Sequence, residues 1–167
     1  MRVLIVDDEP LAQAALAGIL EKRDDVERFD SASDAIVALE RLAAVSYDVV
    51  LLDIDMPEMS GTELVDRLRK QGHSLPSIIF VTAHDEYAIA AFEKQAVDYV
   101  LKPFSKERIW EALNRGLSEV RRREGRKIAR SPASIAEDLS SIAAPHRNQS
   151  QGKNSFYQSR RSDRGSG

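Results

Sequence analysis

Four apolar residues, Val49-Val50-Leu51-Leu52, run without alternation between Asp48 and Asp53, and Pro57 follows shortly after. A strand with one wet face alternates apolar and polar residues. An unbroken apolar run of this length reads instead as a strand covered on both faces, the mark of a parallel sheet with helices above and below. Its carboxyl end carries Asp53 to the edge where open α/β sheets bind ligands. A second such run, Val3-Leu4-Ile5-Val6, ends in Asp7-Asp8-Glu9. Two buried strands that both finish in carboxylates imply one acidic site.

The rest of residues 1–120 supplies the alternation that such a sheet needs. Pro10 suits the first turn of a helix, where its missing N–H costs nothing, and Leu11, Ala15, Ile19 and Leu20 recur near helical spacing. Residues 26–30 read as a short strand, less apolar than the first and so nearer a sheet edge. Ser33 with Asp34 can cap a helix bearing Ile36, Leu39, Leu42 and Ala43. After the 48–53 strand, Ser60 or Gly61 opens a third helix with Leu64, Val65 and Leu68 inward, ending near Gly72 as a C-cap. Pro76 opens the strand Ile78-Ile79-Phe80-Val81, and Asp85 begins a helix with Ile89, Phe92 and Ala96. Residues 97–101 form a fifth strand, and Ser105 caps a last helix with Ile109, Leu113 and Leu117. Five strands alternating with five helices over short connections predict an α/β fold, a five-stranded parallel sheet wound on both faces.

Composition narrows the class. The 167 residues suffice for one domain and a tail. They include no cysteine, which excludes disulfides and thiolate chemistry. No run of about eighteen apolar residues occurs and no signal-peptide pattern opens the chain, so a cytoplasmic protein without a membrane span is expected. Charge is uneven. Residues 1–120 hold 23 Asp+Glu against 13 Lys+Arg, whereas residues 121–167 hold 11 Lys+Arg against 4 Asp+Glu. The expected organisation is an acidic domain over 1–120 followed by a basic, low-complexity linker or tail over 121–167.

In a parallel sheet all strand ends point the same way, so the residues after each strand gather in one crevice. Here these are Asp7, Asp8 and Glu9, then Asp53, then Thr82 and Ala83, then Lys102. Clustered carboxylates raise one another's pKa unless a cation compensates. A hard divalent ion such as Mg²⁺, with oxygen ligands and retained waters, is the natural solution. A metal, an ammonium and a hydroxyl together would neutralise phosphoryl oxygens while one carboxylate acts as nucleophile. Spacing alone does not choose between Asp53 and Asp55 for that role. The three histidines, His73, His84 and His146, are scattered and suggest no zinc site. Taken singly, each group also has an ordinary structural reading, the acidic triplet as a helix cap and Thr82 as a strand end; their joint occurrence at separate strand ends is what points to chemistry.

At these residues the chain resembles a known family. Ile5-Val6-Asp7-Asp8-Glu9-Pro10, Leu51-Leu52-Asp53 with Met56-Pro57, Val81-Thr82-Ala83 and Tyr99-Val100-Leu101-Lys102-Pro103-Phe104 look like the receiver domain of bacterial two-component response regulators, whose fold is flavodoxin/CheY-like. The resemblance covers about residues 1–118. It implies that Asp53 accepts a phosphoryl group from a sensor histidine kinase, and it decides for Asp53 over Asp55. It further implies that Asp8 and Asp53 ligate Mg²⁺, with Asp7 acting mainly through water and the backbone carbonyl of Asp55 completing the set. Lys102 and Thr82 would hold phosphoryl oxygens, and Tyr99 would change rotamer with Thr82. Asp55 holds a variable position of the family and is expected to affect phosphoryl lifetime.

Residues 83–99 look more specifically like receivers of the LytTR (LytR/AlgR) type, which usually precede a DNA-binding domain and act in transcription regulation. Only 47 residues follow position 120. Arg121 to Lys127 extends the last helix, residues 135–142 have the spacing for one short helix, and the remainder is too polar to build a core. No β-rich output domain is expected, so the tail reads either as a truncated or frameshifted output region or as a disordered extension of a stand-alone receiver. DNA is a partner only where a full-length form carries that output domain, and a homodimer is plausible by resemblance. The rival in the enzyme class is a Mg²⁺-dependent phosphatase with an aspartyl nucleophile, which Asp53 and Asp55 superficially fit; a missing cap insertion and the Asp pair on the first strand count against it. A second rival is an interaction module with a vestigial acidic site.

Overall fold

A computed structural model of the protein describes residues 1–70, 72, 75–84 and 95–129. The strands are β1 Arg2–Val6, β2 Arg28–Ala32, β3 Val49–Leu52, β4 Ser77–Thr82 and β5 Asp98–Leu101. The helices among the described residues are α1 Pro10–Leu20, α2 Ala35–Ala44, α3 Gly61–Lys70 and α4 Lys106–Ala129. All strands pair in parallel, in the order β2-β1-β3-β4-β5. The chain leaves β1 to one side for β2 and crosses back for β3, so the order reverses between β1 and β3. That reversal opens a crevice at the carboxyl ends of these two strands.

The absence of alternation in the central strands has the expected cause. Leu4, Val6, Val50, Leu52, Ile78 and Phe80 point to one face and pack with Ala35, Ala38, Leu64, Val65 and Leu68 of α2 and α3. Val3, Ile5, Val49, Leu51, Ile79 and Val81 point to the other and meet Leu16, Leu20, Ile109, Ala112 and Leu113 of α1 and α4. Two cores therefore sandwich one sheet.

Helix ends follow the capping signals. Pro10 is the first residue of α1, and Asp34 caps α2 by accepting the Val37 N–H at 2.8 Å. Ser60 and Glu63 form a reciprocal capping box at α3, with the Ser60 N–H on Glu63 Oε2 at 2.8 Å and the Glu63 N–H on Ser60 Oγ at 3.3 Å. Gly72, at φ +72°, donates its N–H to the Arg69 carbonyl just beyond α3. The Ser105 Oγ accepts the Arg108 N–H at α4, and α4 runs on through the arginines that follow position 120. At Gly116 this helix lies against the sheet so closely that a Cβ would stand 3.1 Å from Val49 Cγ2, and the buried Ser77 hydroxyl donates to the Gly116 carbonyl at 3.0 Å.

Three expectations need correction. The second strand lies at Arg28–Ala32, two residues beyond the predicted span, because Val26 is held in the preceding turn by its N–H on the Arg23 carbonyl and contact with the first strand begins only with the Glu27 N–H on the Met1 carbonyl. It is an edge strand, as its polarity implied. In α1 the fully buried stripe is Leu16 and Leu20, whereas Leu11 is 85% exposed and Ala15 also faces solvent. The first turn stands at the carboxyl edge, where Leu11 has no strand beneath it. In α2, Ala35 and Ala38 make the close contact and Ile36 is exposed, since small residues let the helix approach the sheet. The helix expected from Asp85 with Ile89 and Phe92, and the short helix expected over 135–142, lie outside the described residues. No described helix is long and apolar enough to cross a membrane. Leu16→Ala is expected to cost about 2–5 kcal/mol and Leu11→Ala less than about 0.5 kcal/mol. Urea denaturation of both variants checks the phase of α1.

Candidate functional site

Backbone hydrogen bonds carry the ladder one residue past each strand and so fix the site's side chains. The Asp7 N–H donates to the Ala32 carbonyl at 3.1 Å, the Asp53 N–H to Val6 at 2.8 Å, and the Lys102 N–H to Thr82 at 2.8 Å. Asp7, Asp53 and Lys102 thereby become extensions of β1, β3 and β5, aimed into the crevice. The Asp7 and Asp53 side chains are only 1% and 4% exposed.

Lys102 closes the cluster. Its Nζ donates to Asp53 Oδ2 at 2.9 Å and to Glu9 Oε1 at 3.0 Å, and forms an ion pair with Asp7 Oδ2 at 2.8 Å. Burial alone would push this ammonium's pKa down, but the three carboxylates outweigh burial and hold it above the usual lysine range. For Asp7 the balance is opposite. Burial raises its pKa, and the Lys102 ammonium and the Glu9 N–H offset that only in part. The Asp7 Oδ1 accepts the Glu9 N–H at 2.9 Å, while its buried Oδ2 has no hydrogen-bond partner among the described residues. The second oxygen of Asp53, Oδ1, accepts the Ile54 N–H at 2.6 Å and the Asp55 N–H at 3.3 Å.

Asp7, Asp8 and Asp53 can each offer one carboxylate oxygen such that all three lie within 4.8 Å of one another. With Glu9, four carboxylates face one ammonium. Such an excess of negative charge in a partly buried crevice is unfavourable without a further cation, and oxygen donors at this spacing suit a hard divalent ion.

The remaining predicted residues stand around this centre. Thr82 is fully buried at the end of β4, and its hydroxyl accepts the His84 N–H at 3.5 Å; it bonds to no carboxylate among the described residues. Tyr99 is half-buried on β5, and its hydroxyl donates to the His84 carbonyl. Asp55 turns outward, its carboxylate 69% exposed and 3.3 Å from His84 Nε2.

Four contributors escaped the sequence reading. In the sequence Glu9 stands only as part of an acidic triplet, with no sign that it reaches Lys102. His84 looked like one scattered histidine, yet it touches Thr82, Tyr99 and Asp55. Gln13 donates to the Asp7 carbonyl at 2.6 Å. Gly61 lies so close to the Asp53 backbone that a Cβ there would stand 2.1 Å from the Asp53 carbonyl oxygen. Contacts between loops leave no periodic trace, and only the glycine after the Met-Pro turn hinted at a close approach.

A doubly wound sheet with three aspartates and a lysine converging at its switch point defines an α/β domain of the receiver type. Residues 3–114 match the response regulator receiver domain, and the chain belongs to that family. The sensory transduction protein LytR of Staphylococcus saprophyticus is 44% identical over 115 residues, covering 69% of this chain and 45% of that protein. The transcriptional regulatory protein LytR of Staphylococcus aureus is 40% identical over 140 residues, covering 84% and 54%. The chain thus spans about half the length of the curated relatives it matches. Among solved structures, the response regulator TrrA of Thermotoga maritima, in complex with Mg²⁺–BeF, is 32% identical with a TM-score of 0.61, covering 69% of this chain and 97% of that one. The response regulatory domain of mrkE from Klebsiella pneumoniae is 34% identical with a TM-score of 0.63, covering 73% and 99%.

The two glycines Gly61 and Gly18 separate steric need from chance. Gly61→Ala must displace the Asp53 backbone and is expected to cost about 1–3 kcal/mol. At Gly18, in α1, nothing lies within 4 Å of an added Cβ, so Gly18→Ala is expected to be neutral or to stabilise by about 0.5–1 kcal/mol. Urea denaturation of the pair reads both.

Proposed function

We propose that this receiver domain accepts a phosphoryl group on Asp53 from the phosphohistidine of a sensor histidine kinase, with Mg²⁺ held by the acidic cluster. The contact of Lys102 Nζ with Asp53 Oδ2 at 2.9 Å, beside Asp7 and Asp8, carries this reading. It supports Asp53, buried and paired with the lysine, over the exposed Asp55 as the nucleophile. A carboxylate oxygen of Asp53 attacks phosphorus, the P–N bond of the phosphohistidine breaks, and its electron pair stays on the imidazole nitrogen. The product is an aspartyl phosphate, so the domain acts only on itself and turns over no separate substrate.

Asp7, Asp8 and Asp53, with the Asp55 carbonyl, would hold the ion. The buried Asp7 Oδ2 without a hydrogen-bond partner and the four-to-one charge imbalance both fit it. When bound, Mg²⁺ supplies charge neutralisation to the carboxylates and the incoming phosphoryl oxygens. Lys102 orients one phosphoryl oxygen by a charge-assisted hydrogen bond. The Thr82 hydroxyl, released from the His84 N–H, turns to donate to another. Tyr99 follows into the space that Thr82 leaves, and the surface around β5 changes with it.

We place the phosphoacceptor domain at residues 1–120 and the basic linker at 121–167. The name of the Staphylococcus aureus relative supports a role in transcription regulation; to this we add a cytoplasmic setting, a homodimer as one form of the domain, and DNA as a partner only where a full-length form carries an output domain. The aspartyl phosphatase alternative requires Asp55 as a second catalytic acid beside Asp53; its outward carboxylate argues against that.

Incubation with acetyl phosphate and Mg²⁺, read by intact mass, tests the chemistry. Wild type is expected to gain one phosphoryl adduct, and Asp53→Asn or removal of the metal to abolish it. An adduct that persists in Asp53→Asn would move the nucleophile elsewhere. Binding also predicts stabilisation. At ten times its Kd, Mg²⁺ adds about 1.4 kcal/mol, a rise in Tm of about 3–6 °C, and Asp8→Asn is expected to remove most of it. A Tm indifferent to millimolar Mg²⁺ would contradict the metal site.

A further inference from the structure

An ammonium group has three N–H donors and no acceptor. Three carboxylate oxygens surround that of Lys102: Asp7 Oδ2 at 2.8 Å, Asp53 Oδ2 at 2.9 Å and Glu9 Oε1 at 3.0 Å. Asp53 and Glu9 take two of its hydrogen bonds and the Asp7 ion pair crowds its third side, so a phosphoryl oxygen must displace one of the three contacts. We propose that Glu9 is a displaceable counter-ion of Lys102, a latch that holds the ammonium in the resting domain and is released when a phosphoryl group arrives. This rests on reading Asp53 as the phosphoacceptor. Glu9 acts through Lys102 and is a positioning residue.

Exposure singles out Glu9 from the three partners. Its side chain is 62% exposed, against 1% for Asp7 and 4% for Asp53. A released Glu9 carboxylate is resolvated by bulk water, whereas Asp7 freed of the lysine would stay buried as an uncompensated charge, and Asp53 stays tied to the lysine through the phosphoryl group it receives.

Position supports the same assignment. Glu9 is the N-cap residue of α1, yet its side chain makes no capping hydrogen bond. An N-cap side chain ordinarily serves the free N–H groups of the first turn. This one reaches across the crevice to a lysine 93 residues away in sequence. When it lets go, the positive end of α1 lies beside it as an alternative resting place for the charge. Until then it occupies a lysine donor and sets a negative charge next to the path of a dianion, and both effects slow phosphoryl arrival.

The test compares wild type, Glu9→Gln and Glu9→Asp. The Asp side chain keeps the charge but is one methylene too short for the lysine, and it caps the helix instead. Both variants are expected to take the acetyl phosphate adduct about two- to fivefold faster than wild type at low ionic strength, in keeping with a partly exposed ion pair, and the gap is expected to shrink with added salt. In the metal-free proteins, ¹⁵N NMR is expected to show the Lys102 ammonium protons exchanging several-fold faster in both variants than in wild type. Adduct formation in wild type with equal rates in the variants would overturn the latch and leave the phosphoacceptor reading standing. Equal proton exchange, or Glu9→Asp matching wild type while Glu9→Gln alone is faster, would also overturn the latch. A wild type that takes no adduct would overturn both.

Discussion

Two carboxylates buried to 1% and 4% exposure share one crevice because one ammonium is buried with them. Each charge would cost several kcal/mol to bury alone. Lys102 is thus the constraint on which the site depends, and it belongs to the last strand whereas Asp7 follows the first. Its position is settled only when β5 has paired with β4, β4 with β3, and β3 with β1. The site is a property of the completed sheet. The same cation leaves the cluster under-neutralised, since four carboxylates face it. A protein selected for stability alone would have fewer acids there, and the excess is what makes the crevice ready for a further cation.

Close approaches made possible by missing side chains hold that geometry. Gly61 starts α3 directly against the carbonyl of Asp53, and its N–H donates to the Ile54 carbonyl at 2.9 Å. The loop that follows Asp53 is therefore folded back on the residue it follows. On the other face Gly116 lets α4 sit on Val49 and Ile79, which fixes the helix that follows the lysine's strand. The strands place the charged groups, and the two glycines stop the helices from moving them.

Much of this was legible in the residues. Unbroken apolar runs such as 49–52 and 78–81 could only be strands buried on both faces, and their number and spacing gave the sheet. Because parallel strand ends share an edge, Asp7, Asp8, Asp53 and Lys102 could be brought together without coordinates. What stayed hidden has a common cause. The phase of α1 depends on which part of the helix overlies the sheet, so Leu11 looked as apolar as Leu16. The start of β2 is delayed by the turn hydrogen bond of Val26 to Arg23, which leaves no pattern. Glu9 and His84 act through contacts between loops, and a single side chain carries no period.

His84 shows why such a contact matters for signalling. The Thr82 hydroxyl accepts its N–H, its carbonyl accepts from the Tyr99 hydroxyl, and its imidazole faces Asp55. The loop after β4 is therefore tied both to the residue proposed to move on phosphorylation and to the aromatic proposed to follow it. Turning the Thr82 hydroxyl toward a phosphoryl oxygen removes the acceptor of the His84 N–H. The same residue's carbonyl accepts from the Tyr99 hydroxyl, so the two proposed movers share one neighbour. A single residue, with Thr82 on its donor side and Tyr99 on its acceptor side, ties the end of β4 to the aromatic on β5, which is the connection the proposed switch requires.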